Sequence, residues 1–435
     1  MSFLSDNVNH IRLPAALSIF TVPPNQVAIE KVYFSECRPM SSFNTSDAPI
    51  EIYVPGSGDR YIDLNKSRLY VKCRVKKADD SVLAENEKTG IINLLLQSMW
   101  SQIDTYMNGK LVSLNTNNYP WKAYLKSGTD ATKSQLTSQM FYLDDYDMDD
   151  AKPIVSGTNA GLKKRYSYTK ERKVFDMEGP LYEDIFGIDK YRLNGVDLQL
   201  KLFKSKAPFF LMSDETDPSY KLEILDVAFK ACMIKVDSGV LVNHAKLLKD
   251  TTAKYPLVRT EVKMNTVGSG AGSFIWQNVW ANNMPTKAVF AFVKQAAVNG
   301  DYTKNPFNFV NFAQEVTLYV NGESMPARAM KMDIGDNRNN VTPFCSLFDV
   351  AGKWNQNEGL MINRDTFTMG HAMYAFDLAP SDLGGEYINL VHQGNIRLEV
   401  KFETNTVENL NCVAFATFPA LIEITESREV NYARL

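Results

Sequence analysis

The sequence is poor in the residues that make small reactive sites. It has five cysteines, Cys37, Cys73, Cys232, Cys345 and Cys412, an odd number spread along 435 residues with no CxxC pair. That spacing excludes a disulfide framework and the common zinc motifs. Its four histidines, His10, His244, His371 and His392, form no HExxH or HxH pattern. There is no Walker A loop and no GxSxG elbow. No run of apolar residues approaches the 18 or so needed to cross a bilayer. The first 20 residues lack a basic stretch leading into an apolar one, so folding is expected in a reducing, intracellular compartment. The sequons at Asn44, Asn65 and Asn340 are then expected to stay unmodified. Charge of one sign is also missing. With 47 basic and 50 acidic residues the net charge is -3, which gives no overall field to hold nucleic acid or an anionic membrane. Residues 1 to 30 carry a single basic side chain, Arg12. A genome-condensing arm needs many, because each neutralised phosphate adds to affinity. No enzyme activity, cofactor, metal or membrane insertion is expected.

Alternation of apolar and polar residues is abundant. Leu69, Val71, Cys73 and Val75 alternate with polar neighbours, as do residues in Val258 to Met264, Val316 to Val320 and Ile396 to Phe402. Such a period of two marks strands with one buried side. Turn signals separate them at Gly56 to Asp59, Asn108-Gly109, Asn194-Gly195, Asn299-Gly300 and Asn321-Gly322. The class is all-β, a sandwich or barrel.

Four landmarks occur twice in the same order. A strand enters an Asn-Gly turn at Ile103 to Gly109 and again at Val316 to Gly322. A short helix opens with proline, where Pro120, Trp121, Tyr124 and Leu125 match Pro343, Phe344, Leu347 and Phe348. Phe175-Asp176-Met177 answers Phe376-Asp377-Leu378, and a glycine introduces a strand at Gly195 and at Gly394. The chain therefore reads as two copies of one β-domain: an arm at 1–27, a first copy at 28–237, a linker at 238–254, a second copy at 255–427 and a tail at 428–435. The first copy holds extra residues between Pro120 and Phe175, expected as a surface loop. In that loop Asp144, Asp145, Asp147, Asp149 and Asp150 precede Lys163, Lys164, Arg165, Lys170, Arg172 and Lys173. Opposite signs on one loop suit contact between copies of the chain, with Asp147, Asp149, Asp150, Lys163, Lys164 and Arg165 as candidate residues. Alternatives are a solvated loop, a calcium site in the acidic half, which lacks the spacing and glycine of a known calcium loop, or a basic half that meets DNA or an import receptor. The glycine-rich stretch Gly268 to Ser273 lacks the lysine of a phosphate loop and is expected to be a flexible hairpin.

Several stretches resemble one family, the major capsid proteins (hexons) of Polinton or Maverick elements and adintovirus-like viruses. They are Pro49 to Ile52, Gly56 to Asn65, Leu69 to Cys73, Ala253 to Pro256, Lys304 to Phe309 and Gln393 to Glu399, and coverage runs from about residue 20 to 427. The resemblance implies a double jelly roll, two tandem eight-stranded antiparallel β-sandwich barrels with a few short helices in loops, and a trimeric capsomer. Two similar barrels in each of three chains place six around an axis, approximating a hexagonal tile. Partners implied are other copies of the chain and a minor or penton capsid protein, on which the arm at Ile11 to Pro24 would dock. The implied location is the capsid of a virion, after synthesis in the host cytoplasm. Competing readings are a carbohydrate-binding or glycan-hydrolysing β-sandwich and a cellular protein domesticated from a capsid.

Overall fold

A computed structural model describes residues 22 and 25–434, apart from 41–47, 57, 85–86, 131–132, 153–156, 172, 282, 334–338, 356–359 and 380–391. Most of the N-terminal arm, Asn44 and Arg172 thus lie outside the described residues. In the first half the strands are β1 (Ile29–Cys37), β2 (Ile50–Val54), β3 (Arg60–Lys77), β4 (Thr89–Ile91), β5 (Trp100–Met107), β6 (Lys110–Leu111), β7 (Phe175–Gly179), β8 (Leu198–Lys204), β9 (Leu211–Ser213) and β10 (Tyr220–Val236). In the second they are β11 (Ala253–Val267), β12 (Ser273–Trp276), β13 (Lys287–Lys294), β14 (Ala313–Val320), β15 (Glu323–Lys331), β16 (Met373–Asp377), β17 (Ile396–Phe402), β18 (Leu410–Ile424) and β19 (Val430–Arg434). A helix, Ser238–Asp250, connects the halves.

The two halves share one topology. The sheets of the first half run β1-β10-β3-β7 and β2-β8-β5-β6, with β4 and β9 as a separate pair. Those of the second run β11-β18-β13-β16 and β12-β17-β14-β15. Leaving out β4, β9 and β19, each half joins its first, eighth, third and sixth strands in one sheet and its second, seventh, fourth and fifth in the other. This is the jelly-roll order, present twice. Buried alternation builds both cores: Leu69, Val71 and Cys73 in β3 and Ile396 and Leu398 in β17 have no accessible surface.

The duplicated landmarks fall at equivalent places. Asn108-Gly109 joins β5 to β6 and Asn321-Gly322 joins β14 to β15, all four residues with positive φ, the geometry that matches strand twist in a two-residue hairpin. Each turn asparagine also clamps the lead-in to the seventh strand. Asn108 Oδ1 accepts from Asp197 N at 2.6 Å and Asn321 Oδ1 from Asn395 N at 2.9 Å. Helices Tyr119–Asp130 and Val341–Ala351 both lie between the fifth and sixth strands. The sixth strands repeat one cross-strand pair, Lys72 opposite Asp176 and Lys287 opposite Asp377.

Two segments differ from expectation. Gly268 to Ser273 is no hairpin, because β11 and β12 belong to different sheets. It crosses between them with Gly270 at φ +82°, and Thr406 fastens it by bonds at Gly270 N, Ala271 N and Gly268 O. Within the segment read as a tail, Val430 to Arg434 pair with Ile424 to Ala420 of β18, beyond the reach of β13. The early residues of β3, Arg60 to Asp63, fill the corresponding place beside β10.

Trp121 is almost fully buried whereas its equivalent Phe344 is only half-buried. Trp121→Ala is expected to cost about 3–5 kcal/mol in denaturant unfolding of the monomer, and Phe344→Ala about half of that. Equal losses would contradict the unequal cover.

Candidate functional site

The segment between β6 and β7 is a packed insert, not a surface loop, and it carries the contacts that join the two halves. Its helix Ala160–Thr169 begins at Asn159, whose side chain accepts from Leu162 N at 3.0 Å. Gly161, Leu162, Arg165 and Thr169 form its buried stripe, at helical spacing. Arg165 is therefore directed inward although it ends a basic run. Its Nη2 pairs with Asp144 Oδ1 at 2.6 Å, and Nη1 and Nε donate to the carbonyls of Tyr142 (2.6 Å) and Ile91 (2.8 Å). Both charged side chains have no accessible surface.

Asp144 continues into the second half. Its Oδ2 accepts from Asn305 Nδ2 at 3.2 Å, and His371 Nε2 donates to its carbonyl at 3.2 Å. Asp149 accepts from Asn305 N at 3.0 Å and pairs with Lys294 at 3.1 Å. Asp150 accepts from Thr158 N and Oγ1, and Asp145 from Ala160 N. The expected role in contact between copies is thus corrected for Arg165 and Asp149, whose charges are spent inside the chain. Asp150 is bonded within its own loop. Asp147 and Lys164 are exposed and Lys163 is half-buried.

Aromatic packing completes the seam. Tyr124 stacks on Phe307 with centroids 4.2 Å apart, and Trp121 Nε1 donates to Pro306 O at 3.1 Å. Asn118 Nδ2 donates to Val262 O, and Asp184 accepts from Thr260 N, both at 3.0 Å. Lys122, buried, sits 2.8 Å from Glu183 and 3.1 Å from Asp184. Burial alone would depress the Lys122 ammonium, but the Asp184 and Glu183 carboxylates outweigh it and raise its pKa. Gly370, at φ +102°, allows a close approach, since a Cβ there would lie 2.2 Å from Met148 Sδ. Beside these contacts lies a cavity of about 730 Å³ between Tyr124, Phe141 and Leu143 of the first half and Val289, Met373 and Phe415 of the second.

Chemically the arrangement is a clamp. Its carboxylates accept from main-chain N–H groups and hold cations in place. Burial lowers the pKa of His371, and a proton at Nδ1, which has no hydrogen-bond partner among the described residues, would place an unpaired charge in the interior. Among the described residues no group of three or more His, Cys, Asp or Glu could hold a metal ion, and no helix is long and apolar enough to cross a membrane. Asn305 and Phe307 lie in the family-like stretch Lys304 to Phe309, but nothing in the sequence signalled that they, or Lys294, would meet the insert. Arg165 had one, the 161/162/165/169 stripe, obscured by the adjacent lysines.

With this geometry the chain can be compared with known proteins. It matches a chain of the Sputnik virophage structure, solved by cryo-electron microscopy, with TM-score 0.61 and 12% identity over 100% of this chain and 95% of that one. The mavirus major capsid protein gives TM-score 0.58 and 12% identity, covering 100% and 97%. The PBCV-1 virus capsid gives 0.57 and 9%, covering 96% and 99%. The fold is the double jelly roll. By sequence the chain is 19% identical over 420 residues to "Uncharacterized protein F54H12.2" of Caenorhabditis elegans, spanning 93% of this chain and 97% of that protein. No family model matches.

Two measurements test the clamp. Arg165→Met should destabilise the folded monomer by about 3–5 kcal/mol, because Asp144 is left as a buried, unpaired charge, and a loss under about 1 kcal/mol in denaturant titration would contradict this. A histidine whose folded pKa lies below its unfolded value of about 6.5 takes up its proton more readily when unfolded. Stability should therefore fall as pH drops below about 6.5, and the fall should be smaller in His371→Gln.

Proposed function

We propose that the chain is a structural major capsid protein that assembles as a homotrimer, and that these trimers pave an icosahedral shell around a DNA genome. The observation that carries this reading is the eight-strand order repeated twice in one chain. Three copies then present six equivalent rolls around one axis, so a single gene product supplies a near-hexagonal tile. The double jelly roll of virophage and PBCV-1 capsid structures supports it, as do the matching sequence stretches of Polinton-type hexons. The function lies in surface complementarity and rigid strands, with no reacting atom. We assign one roll to 28–237 and one to 255–427, with 238–254 as the linker between them. Residues 1–27 precede the first roll, and the tail at 428–435 follows the second, adding the strand Val430–Arg434 to the edge of its sheet.

In this reading the partners are other copies of the chain and a minor or penton capsid protein. The arm at Ile11 to Pro24, with three prolines and little positive charge, suits docking on a neighbour and not packaging of DNA. Asp147, Lys163 and Lys164 remain as the surface charges of the insert that can set register between copies; such exposed pairs contribute about 0.2–1 kcal/mol each. A second reading, a capsid-type gene resident in an animal genome, is favoured by the Caenorhabditis elegans relative. A glycan-binding or glycan-cleaving role has no such support. The deciding experiment is mass measurement with negative-stain imaging. Three copies of 49.1 kDa should give a particle of about 147 kDa with six-lobed projections, whereas a stable monomer at micromolar concentration, alone or with its minor capsid partner, defeats the proposal.

A further inference from the structure

Capsid assembly gives no task to the cavity at the seam. Its floor is the outer side of β11-β18-β13-β16, with Val289 and Phe415, and its cover is Tyr124, Phe141 and Leu143 of the insert with Leu347 of helix Val341–Ala351. At about 730 Å³ it falls within the range of roughly 300–1,000 Å³ typical of small-molecule sites. Left empty, a space of that size costs its walls their packing contacts, and the cost grows with volume. Water fills it poorly. A buried water needs about two to four polar partners, whereas these six side chains offer aliphatic and aromatic surface.

The charged groups of the wall fall into two sets. Asp184 is held by Lys122 at 3.1 Å and by Thr260 N at 3.0 Å, and Lys287 donates to Val350 O at 2.7 Å, so these are engaged within the chain. The second set stands at an opening. Gly187, Asp189 and Lys190 are exposed, as are Pro256 and Val258 of β11, which places the mouth just after the short 3₁₀ turn Asp184–Gly187. Lys126 reaches the same point from helix Tyr119–Asp130, since a Cβ on Gly187 would lie 3.6 Å from its Nζ. Lys190 is anchored at the rim by donating to Lys254 O at 3.3 Å. Two ammonium groups thus face one carboxylate, Asp189, at the entrance to an apolar interior.

We propose that this cavity is a binding site for a long-chain fatty acid. The acyl chain lies between the sheet and its cover, where it supplies the packing contacts that the walls lack. The carboxylate stays at the mouth and accepts from Lys126 and Lys190. The site is complete within one chain, so the proposal stands apart from the trimer reading and survives or fails without it.

The full-length protein, freed of bound lipid on a hydrophobic resin, should bind the fluorescent fatty acid cis-parinarate at one molecule per chain, and palmitate should displace it. Val289→Trp and Met373→Trp each put a large ring into the space. Each should keep the far-UV circular dichroism of the wild type and bind parinarate at least about tenfold more weakly. The double variant Lys126→Met, Lys190→Met should weaken palmitate by about threefold or more and leave 1-hexadecanol, the same chain with a neutral head, unchanged. A palmitate analogue with a diazirine midway along its chain, which needs no variant to fold, should label Lys287–Lys294 or Leu410–Ile424 of the wild type. A wild type that binds neither fatty acid, label confined to other segments, or a folded tryptophan variant that binds parinarate as tightly as the wild type would overturn the site. In the lysine variant, equal losses of palmitate and hexadecanol, or no loss of either, would overturn the assignment of an anionic head.

Discussion

A sheet that is apolar on both sides cannot form the surface of a sandwich, and the rest of this structure follows from having one. In β18, Cys412, Ala414 and Ala416 face the core of the second roll, and Val413 and Phe415 face outward, yet all are buried. In β13, Phe290 and Phe292 point inward, Val289, Ala291 and Val293 outward, and again all are buried. Antiparallel sheets in sandwiches usually leave one side wet. This one needs a cover, supplied in part by the insert between β6 and β7 of the first half and in part by helix Val341–Ala351 of its own half, whose Lys287-bound Val350 and neighbour Leu347 lie on the same side as Val289 and Phe415. The third strand of the first half shows the contrast. The outward residues of β3 are Arg68, Tyr70, Lys72 and Arg74, which tolerate water.

An apolar cover alone would not fix how the insert sits. Oily surfaces slide with little penalty, whereas buried polar groups lose about 1–3 kcal/mol each when a partner is missed. The seam contains a connected polar set: Arg165 with Asp144, Asp144 with Asn305, Asn305 with Asp149, Asp149 with Lys294. Displacing the insert by one residue would leave several of them unpaired at once. The gain from such a set relative to an apolar replacement is small because desolvation offsets the Coulomb attraction. Its effect is on register, and Gly370 adds a steric limit where a side chain would meet Met148.

The sequence displayed what depends on neighbours along the chain and concealed what depends on distant ones. Alternation revealed β3, β14 and β17, and the Asn-Gly turns revealed two hairpins, because strand sidedness and positive φ are local properties. Order-preserving repetition then revealed the duplication. Charge runs misled for the opposite reason. Lys163, Lys164 and Arg165 are adjacent in sequence but point in different directions on a helix, so only the 3.6-residue period separates Arg165 from its neighbours. The glycine-rich segment misled likewise, since glycine marks a sharp change of direction without saying whether the chain stays in one sheet. Nothing local pairs Tyr124 with Phe307, which lie 183 residues apart. The role of Val430 to Arg434 depends on where β13 starts, far upstream.

The unequal cover also orders events. The apolar outer side of β11-β18-β13-β16 is satisfied within the chain, so it is protected as soon as both halves have folded. The outer side of β1-β10-β3-β7 is sprinkled with Arg68, Lys72, Glu178 and Lys230, with Glu178 holding Lys230 at 2.6 Å. A face of that composition is tolerated in water, so it needs no cover from the rest of the chain. Had both outer faces been as apolar as the second, each chain would have carried a sticky surface from the moment of synthesis, a liability for aggregation. The same topology thus carries a dry outer face where the chain covers it and a charged one where water reaches it.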